Sequence, residues 1–287
     1  MDWSIWTSYF YDLPLSRALM EFRSLDFNFL ELSAEHMSEL VYNVFGEEFS
    51  DLKSIERLNN IRDKITDIGM ENIRDLMNNL DIEFIDVHGP FDVSDLFPKS
   101  FVNWIDRAVR KLVKWFNICG ELNIPVIVLH PIENVGLEVN VEYFRRLSKI
   151  AAEYGVKIAV ENYGYLHNFY SRINNIVETI IKVGSDSLGI CLDTGHANIE
   201  VYTGRVDESI YESNGYLLAT HVSDNDGLSD QHLFPGKGII DWKKVFKAFK
   251  EIKFSKPLNL EVPGETRYSL EERKEYLNHF ISKFNFI

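Results

Sequence analysis

The sequence predicts a (β/α)8 barrel, because short apolar strands alternate with amphipathic helices along the chain. Beyond the third strand, the strands are continuous apolar runs, as expected of parallel strands covered on both faces. Strict alternation through eight units favours a closed barrel over an open doubly wound sheet. No Gly-x-Gly-x-x-Gly motif follows the first strand, so a dinucleotide-binding fold has no support. We therefore expect one α/β domain, a TIM barrel, over residues 1–287.

The eight strands and their helices follow in order along the chain. Strands are predicted over residues 3–8, 27–33, 82–87, 125–129, 156–160, 188–192, 217–220 and 258–260. Apolar residues at spacings of three and four predict helices over residues 14–25, 52–80, 101–122, 141–154, 173–183, 242–252 and 270–284. A polar insertion is expected after the second strand, and short irregular helices are expected between Asp193 and Leu217.

Length and composition fit a barrel of this kind. The chain has 287 residues, of which 45% are hydrophobic and 13% aromatic, and such barrels have about 250 residues. No apolar run approaches the roughly 20 residues that span a bilayer, and the start does not resemble a signal peptide. Cys119 and Cys191 lie in apolar segments without a paired spacing, which indicates buried free thiols. We expect a cytoplasmic protein without membrane contact, and leave open whether it forms a homo-oligomer.

Six consecutive predicted strands each end in a residue that can bind a metal ion. These residues are His88, His130, Glu161, Asp193, His221 and Glu261. The carboxyl ends of barrel strands meet on one face, where active sites are built. A single His or Asp at a strand end is often only a hydrogen-bonded loop residue. Six such positions in register indicate a shared site.

Imidazole nitrogen and carboxylate oxygen together suit Zn²⁺, Mn²⁺, Fe²⁺ or Co²⁺. The firmest ligand candidates are Glu161, Asp193, His221 and Glu261. A charged glutamate directly after a buried strand is costly without a partner. Three weaker candidates lie in polar loops, namely His196, Asp230 and His232. With His88 and His130 these make nine residues, which are enough for one to three ions.

The net charge of −14 argues against a broadly basic protein that binds nucleic acid. Four of the acidic residues are themselves candidate ligands, whose charge divalent cations would offset. The tract from residue 31 to residue 51 has no Lys or Arg, and we expect an acidic surface from its Glu31, Glu35, Glu39, Glu47, Glu48 and Asp51. Such a surface is unfavourable for contact with phosphates.

Several segments resemble the xylose isomerase-like barrel superfamily, which includes sugar phosphate isomerases/epimerases and endonuclease IV. The similar segments are HGP (88–90), VIVLHP (126–131), IAVEN (158–162), GICLDTGHAN (189–198), HVSDND (221–226), DQHLFPGKGIIDW (230–242) and LNLEVPG (258–264). The first 80 residues match only in the rhythm of the strands. The resemblance to the isomerases/epimerases implies that one divalent metal is bound here by Glu161, Asp193, His221 and Glu261. The resemblance to endonuclease IV implies that all nine residues bind three zinc ions.

The resemblance implies two activities. The first is metal-dependent isomerisation or epimerisation of a sugar or sugar phosphate through an enediolate, in which Glu161 and Glu261 move the protons. The alternative is an endonuclease IV-like zinc phosphodiesterase that acts on abasic-site DNA. The compact loop after His221 lacks basic residues and favours the isomerase. A barrel that kept the metal site as a binding or regulatory protein is a third reading, because function lies in the site and not in the fold.

Overall fold

The computed structural model describes residues 2–46, 69–90, 104–165 and 168–284. Eight parallel strands close into a barrel in chain order, and the last strand pairs with the first. The strands are β1 (Trp3–Trp6), β2 (Phe29–Leu32), β3 (Glu83–His88), β4 (Val126–Leu129), β5 (Lys157–Glu161), β6 (Leu188–Asp193), β7 (Leu217–Val222) and β8 (Leu258–Leu260). The predicted (β/α)8 barrel is confirmed, whereas a single domain over residues 1–287 stays a prediction.

Helices cover the outside of the barrel. Those in the described residues are α1 (Leu15–Arg23), α2 (Ala34–Phe45), α3 (Met70–Leu80), α4 (Trp104–Leu122), α5 (Leu137–Glu153), α6 (Ile173–Val183), α7 (Thr194–Asn198), α8 (Val206–Glu212), α9 (Trp242–Glu251) and α10 (Leu270–Phe284). The helix predicted over 52–80 is described only from residue 70, and its earlier part lies outside the described residues. Among those described, no helix is long and apolar enough to cross a membrane. The cytoplasmic location stays a prediction.

Helix α2 stands where the sequence predicts a polar insertion. The Ser33 side chain accepts a hydrogen bond from the backbone N–H of His36 and caps the start of the helix. Gly46 ends the helix in the left-handed conformation, with a φ of 65°. The cap signal in Ser33 is therefore present in the sequence, although the polar residues beyond it predict an insertion.

The expected acidic surface is wrong for the three acidic residues of the tract that are described. Glu31, Glu35 and Glu39 are all buried. Glu35 accepts a hydrogen bond from the Ser8 hydroxyl, and Glu39 accepts the backbone N–H of Leu15. Buried carboxylates of this kind accept hydrogen bonds within the protein and present no charge to a binding partner. The other three acids of the tract lie outside the described residues.

Small side chains fill part of the barrel interior and leave room for polar groups above them. This small apolar cluster consists of Val126, Val128, Ala159, Cys191 and Ala219. Both cysteines are buried and free, as predicted. The larger core lies between the strands and the helices. These small residues therefore leave space in the barrel interior for the side chains at the carboxyl ends of the strands.

Candidate metal centre

Four strand-end side chains form a buried group that we call the inner cluster. It consists of Glu161 on β5, Asp193 on β6, His221 on β7 and Glu261 directly after β8. Their ligand atoms all lie within 4.8 Å of one another. The first three are fully buried and Glu261 is only 3% exposed. Strand register builds this group, because Asp193 pairs directly with His221.

The atoms of the inner cluster fit a divalent cation. Nδ1 of His221 lies 3.0 Å from Oε1 of Glu161 and 3.1 Å from Oε2 of Glu261. Each of the three carboxylates also has a buried oxygen that makes no hydrogen bond with a described residue. A buried carboxylate without compensation costs several kcal/mol. Three carboxylates and an imidazole around one point make a donor set that suits a metal ion.

Two further histidines approach Glu161 from the side of β3 and β4. Nε2 of His88 lies 3.6 Å, and Nε2 of His130 3.3 Å, from Oε2 of Glu161. The ring of His88 also stacks on His221, with 5.3 Å between the ring centroids. Burial lowers the pKa of His130 to about 4, which keeps the ring in the neutral form that binds metals.

His196, Asp230 and His232 form a second group, which we call the outer cluster. Nε2 of His196 and Nε2 of His232 lie 3.3 and 3.0 Å from the same Asp230 oxygen. Nδ1 of His196 donates to the Asn162 carbonyl, and Nδ1 of His232 donates to the Glu261 carbonyl. Because a carbonyl only accepts hydrogen bonds, Nδ1 of each ring carries a proton. The other ring nitrogen, Nε2, faces Asp230. The Asp230 side chain is 34% exposed, so this cluster lies nearer the surface.

The two clusters shift the pKa values of their members. Burial, together with Glu261 and Glu161, outweighs the charge of His196 and raises the pKa of Asp193 to about 8. Burial opposes protonation of His221, but its neighbours, among them Glu161 and Glu261, raise its pKa well above the usual value. Burial alone would raise the pKa of Glu261, whereas His221 lowers it to about 2. Protons therefore remain in the site at neutral pH.

One residue of the site was missed by sequence reasoning. Glu31 on β2 is fully buried, and its Oε1 lies 2.9 Å from Nε2 of His221. The acidic residues that follow it in the sequence predict a surface position for Glu31 instead. The available signal was a lone acid between Leu30 and Leu32, inside a strand that is covered on both faces. The same argument, that an acid next to buried strand residues needs a partner, predicts Glu161 as a site residue.

The loop after β7 is held by Asp224, the buried acid of the HVSDND segment. Its carboxylate accepts the backbone N–H of Gly236 at 2.9 Å and the indole N–H of Trp242 at 2.8 Å. The anchored turn presents Lys237 to a cleft of about 680 Å³, which is also lined by His232. These hydrogen bonds fix the base of the turn.

The structure brings all nine predicted residues to one face of the barrel, and their roles as ligands remain a prediction. A family model described as a xylose isomerase-like TIM barrel matches residues 42–281. The chain belongs to this family.

Relatives of this xylose isomerase-like chain include proteins of different named activities. It is 31% identical over 212 residues to the uncharacterized protein y4fM of Sinorhizobium fredii, covering 66% of this chain and 64% of that protein. The chain thus spans less than two thirds of that relative's length. It is 30% identical over 138 residues to the inosose isomerase of Bacillus subtilis, covering 46% and 49% of the two chains. It is 29% identical over 199 residues to the probable endonuclease 4 of Mycoplasma mobile, covering 63% and 69%.

Solved structures share the barrel over nearly the whole chain. The D-psicose 3-epimerase of Clostridium cellulolyticum H10, solved with D-tagatose, has a TM-score of 0.75 at 15% identity and covers 100% of this chain and 99% of its own. The IOLI protein, solved with a zinc atom, has a TM-score of 0.71 at 17% identity and covers 99% and 96%. At these identities the likeness shows the fold alone.

Proposed function

We propose that this protein is a divalent-metal-dependent isomerase or epimerase of a sugar or sugar phosphate. The observation that carries the proposal is the placement of Glu161 and Glu261. These glutamates come from β5 and from the end of β8, face the same nitrogen of His221 and offer oxygens within 4.8 Å of each other. The relative named inosose isomerase supports this reaction class.

The inner cluster would hold the metal and also supply the groups that move protons. A bound divalent ion supplies positive charge that stabilises an enediolate. Burial would raise the pKa of Glu161, but His130 and His221 lower it well below its usual value. Glu261 has a lowered pKa as well, so both carboxylates are ionised at neutral pH. One ionised glutamate would take the proton from the carbon beside the carbonyl. The other would first take up a proton from solvent and then return it to carbon.

A cleft beside the site fits the recognition of a substrate with a phosphate group. Its charged lining comprises His232 of the outer cluster, the basic residues Lys237, Arg267 and Arg273, and the acidic residues Glu265, Glu272 and Glu275. Lys237 is exposed on its anchored turn, and Arg267 pairs with Glu265. Lysine and arginine bind phosphate oxygens through charge-assisted hydrogen bonds. The cleft therefore supports a sugar phosphate among the candidate substrates.

The second candidate function is hydrolysis of a phosphodiester at abasic sites in DNA. It is favoured by the outer cluster, whose three ligand atoms lie within 4.8 Å of one another, and by the additional histidines His88 and His130. Several metal ions would generate hydroxide and stabilise the leaving oxygen. The relative named probable endonuclease 4 supports this alternative.

Paired assays distinguish the two activities. The purified protein is loaded separately with Zn²⁺, Mn²⁺, Co²⁺ and Fe²⁺, and each form is offered a panel of sugars and sugar phosphates and an abasic DNA duplex. Our proposal predicts metal-dependent conversion of at least one sugar and no cleavage of the duplex. Cleavage of the duplex without conversion of any sugar would replace the proposal with the alternative.

A further inference from the structure

The histidines of the site differ in the group that holds one of their two ring nitrogens. His88, His196 and His232 each direct Nδ1 to a backbone carbonyl, at 2.8, 2.9 and 3.0 Å. At His221, the nitrogen opposite Nδ1 is Nε2, and it faces the carboxylate of Glu31 instead, at 2.9 Å. A carboxylate is a stronger acceptor than a carbonyl, and it raises the basicity of the opposite ring nitrogen.

Glu31 is itself held in place by a chain of hydrogen bonds across the barrel interior. Asn259 on β8 donates its amide N–H to the second carboxylate oxygen of Glu31. The hydroxyl of Ser4 on β1 donates in turn to the amide oxygen of Asn259, at 3.1 Å. All of these side chains are fully buried, and Asn259 is the register partner of both Ser4 and His221. The position of Glu31 is therefore fixed by three strands besides its own.

From this arrangement, and on the basis of the proposed function, we propose that Glu31 is a positioning residue for the metal ligand His221. Its carboxylate accepts the Nε2–H of His221 and thereby fixes the tautomer in which Nδ1 carries the lone pair. The same contact turns Nδ1 toward Glu161 and Glu261, which lie 3.0 and 3.1 Å from it. Metal would then bind His221 through Nδ1.

The geometry separates this role from that of a further ligand. Oε1 of Glu31 contacts Nε2, whereas the carboxylates of Glu161 and Glu261 contact Nδ1 of the same ring. Glu31 and those carboxylates therefore lie on opposite edges of the imidazole of His221. Its second oxygen is taken by Asn259. Glu31 thus acts through His221 rather than on the ion.

The test measures the affinity for Zn²⁺ by competition with a chromogenic chelator, without any substrate. The variants are Glu31→Ala and Glu31→Gln, and the matched control is Glu39→Ala, which removes another buried carboxylate that accepts the backbone N–H of Leu15. Circular dichroism checks that each variant is folded. Loss of such an outer partner typically weakens metal binding by about 10–100-fold. We expect this loss for Glu31→Ala, a smaller loss for Glu31→Gln, whose amide oxygen can still accept the Nε2–H, and no loss for Glu39→Ala.

A second measurement uses the wild-type protein and does not depend on the folding of a variant. In zinc-loaded protein labelled with ¹⁵N-histidine, the ring of His221, assigned by its loss in His221→Gln, should carry its proton on Nε2. The inference would be overturned by a proton on Nδ1, or by folded Glu31→Ala that binds Zn²⁺ within about twofold of the wild-type affinity. Either result would leave the proposed function intact. Wild-type protein that binds no divalent metal would overturn both.

Discussion

Glu161 and His221 are 60 residues apart in the sequence, yet Oε1 of the one lies 3.0 Å from Nδ1 of the other. The contact follows from the parallel barrel, in which the ends of β5 and β7 face the same axis. Both side chains are fully buried. A candidate base and a candidate metal ligand thus share one water-poor site, where a charge has a large effect.

Replacing Glu161 with Gln should abolish most turnover while the fold is kept. The amide has nearly the same shape but cannot take up a proton. Loss of a general base typically costs about 10²–10⁴-fold in rate, and we expect a fall in kcat of that size. Glu138→Gln, which removes an exposed carboxylate that pairs with Lys182, is the control and should be neutral. Near-wild-type kcat in Glu161→Gln would show that this residue is not the base.

Replacing Asp193 with Asn should remove the tightly bound metal, whereas Asp230→Asn should leave one ion per chain. Asp193 is fully buried in the inner cluster, together with two further carboxylates. Asp230 is the single carboxylate of the more exposed outer cluster. Elemental analysis after extensive dialysis measures the difference. The reverse pattern, with the ion kept in Asp193→Asn and lost in Asp230→Asn, would place the principal site in the outer cluster.

Metal loading at pH 7 should release protons. The pKa of Asp193 is raised to about 8, that of His221 is raised well above its usual value, and hydrogen bonding to Asp230 outweighs burial and raises that of His232 to about 10. These groups hold protons at pH 7, and ligands must lose them to bind a metal. The apparent affinity should therefore rise from pH 6 to pH 8. A pH-indicator dye in weakly buffered solution measures the release, and loading without it would contradict the account.

Replacing Asp224 with Ala should destabilise the protein by about 2–4 kcal/mol, because several buried donors lose their acceptor. Besides Gly236 and Trp242, the carboxylate accepts the backbone N–H of Ile240. Urea unfolding followed by fluorescence measures the change. Asp226→Ala, two residues away and exposed, is the matched control and should change stability by less than about 1 kcal/mol. Equal effects of the two variants would mean that Asp224 does not anchor the turn.

The strand ends could be predicted because their signals are local. The strands β4 to β8 are short, mainly apolar runs, and the His, Asp or Glu at the end of each strand from β3 onward is visible without knowledge of its neighbours. The barrel then specifies that the closing residues meet on one face. This is why the positions of Glu161, Asp193 and His221 followed from the sequence, and why strand β8 and helices α6 and α10 were predicted with their observed bounds.

What could not be predicted depends on packing across the barrel. Whether Glu31 points inward is decided by the register of β2 with β1 and β3, which the sequence does not state. The burial of Glu35 and Glu39 depends in the same way on Ser8 and on the start of α1, which lie more than 20 residues away. Composition alone therefore predicts a surface for these acids and an insertion in place of α2.

The most direct test of the central claim follows hydrogen exchange at carbon. Metal-loaded protein is incubated in D₂O with each sugar or sugar phosphate that it converts, and the products are examined by NMR. Removal of a carbon-bound proton by a glutamate predicts metal-dependent incorporation of deuterium at the carbon beside the carbonyl, and its loss in Glu161→Gln. Converted product that contains no solvent deuterium would contradict proton transfer through an enediolate.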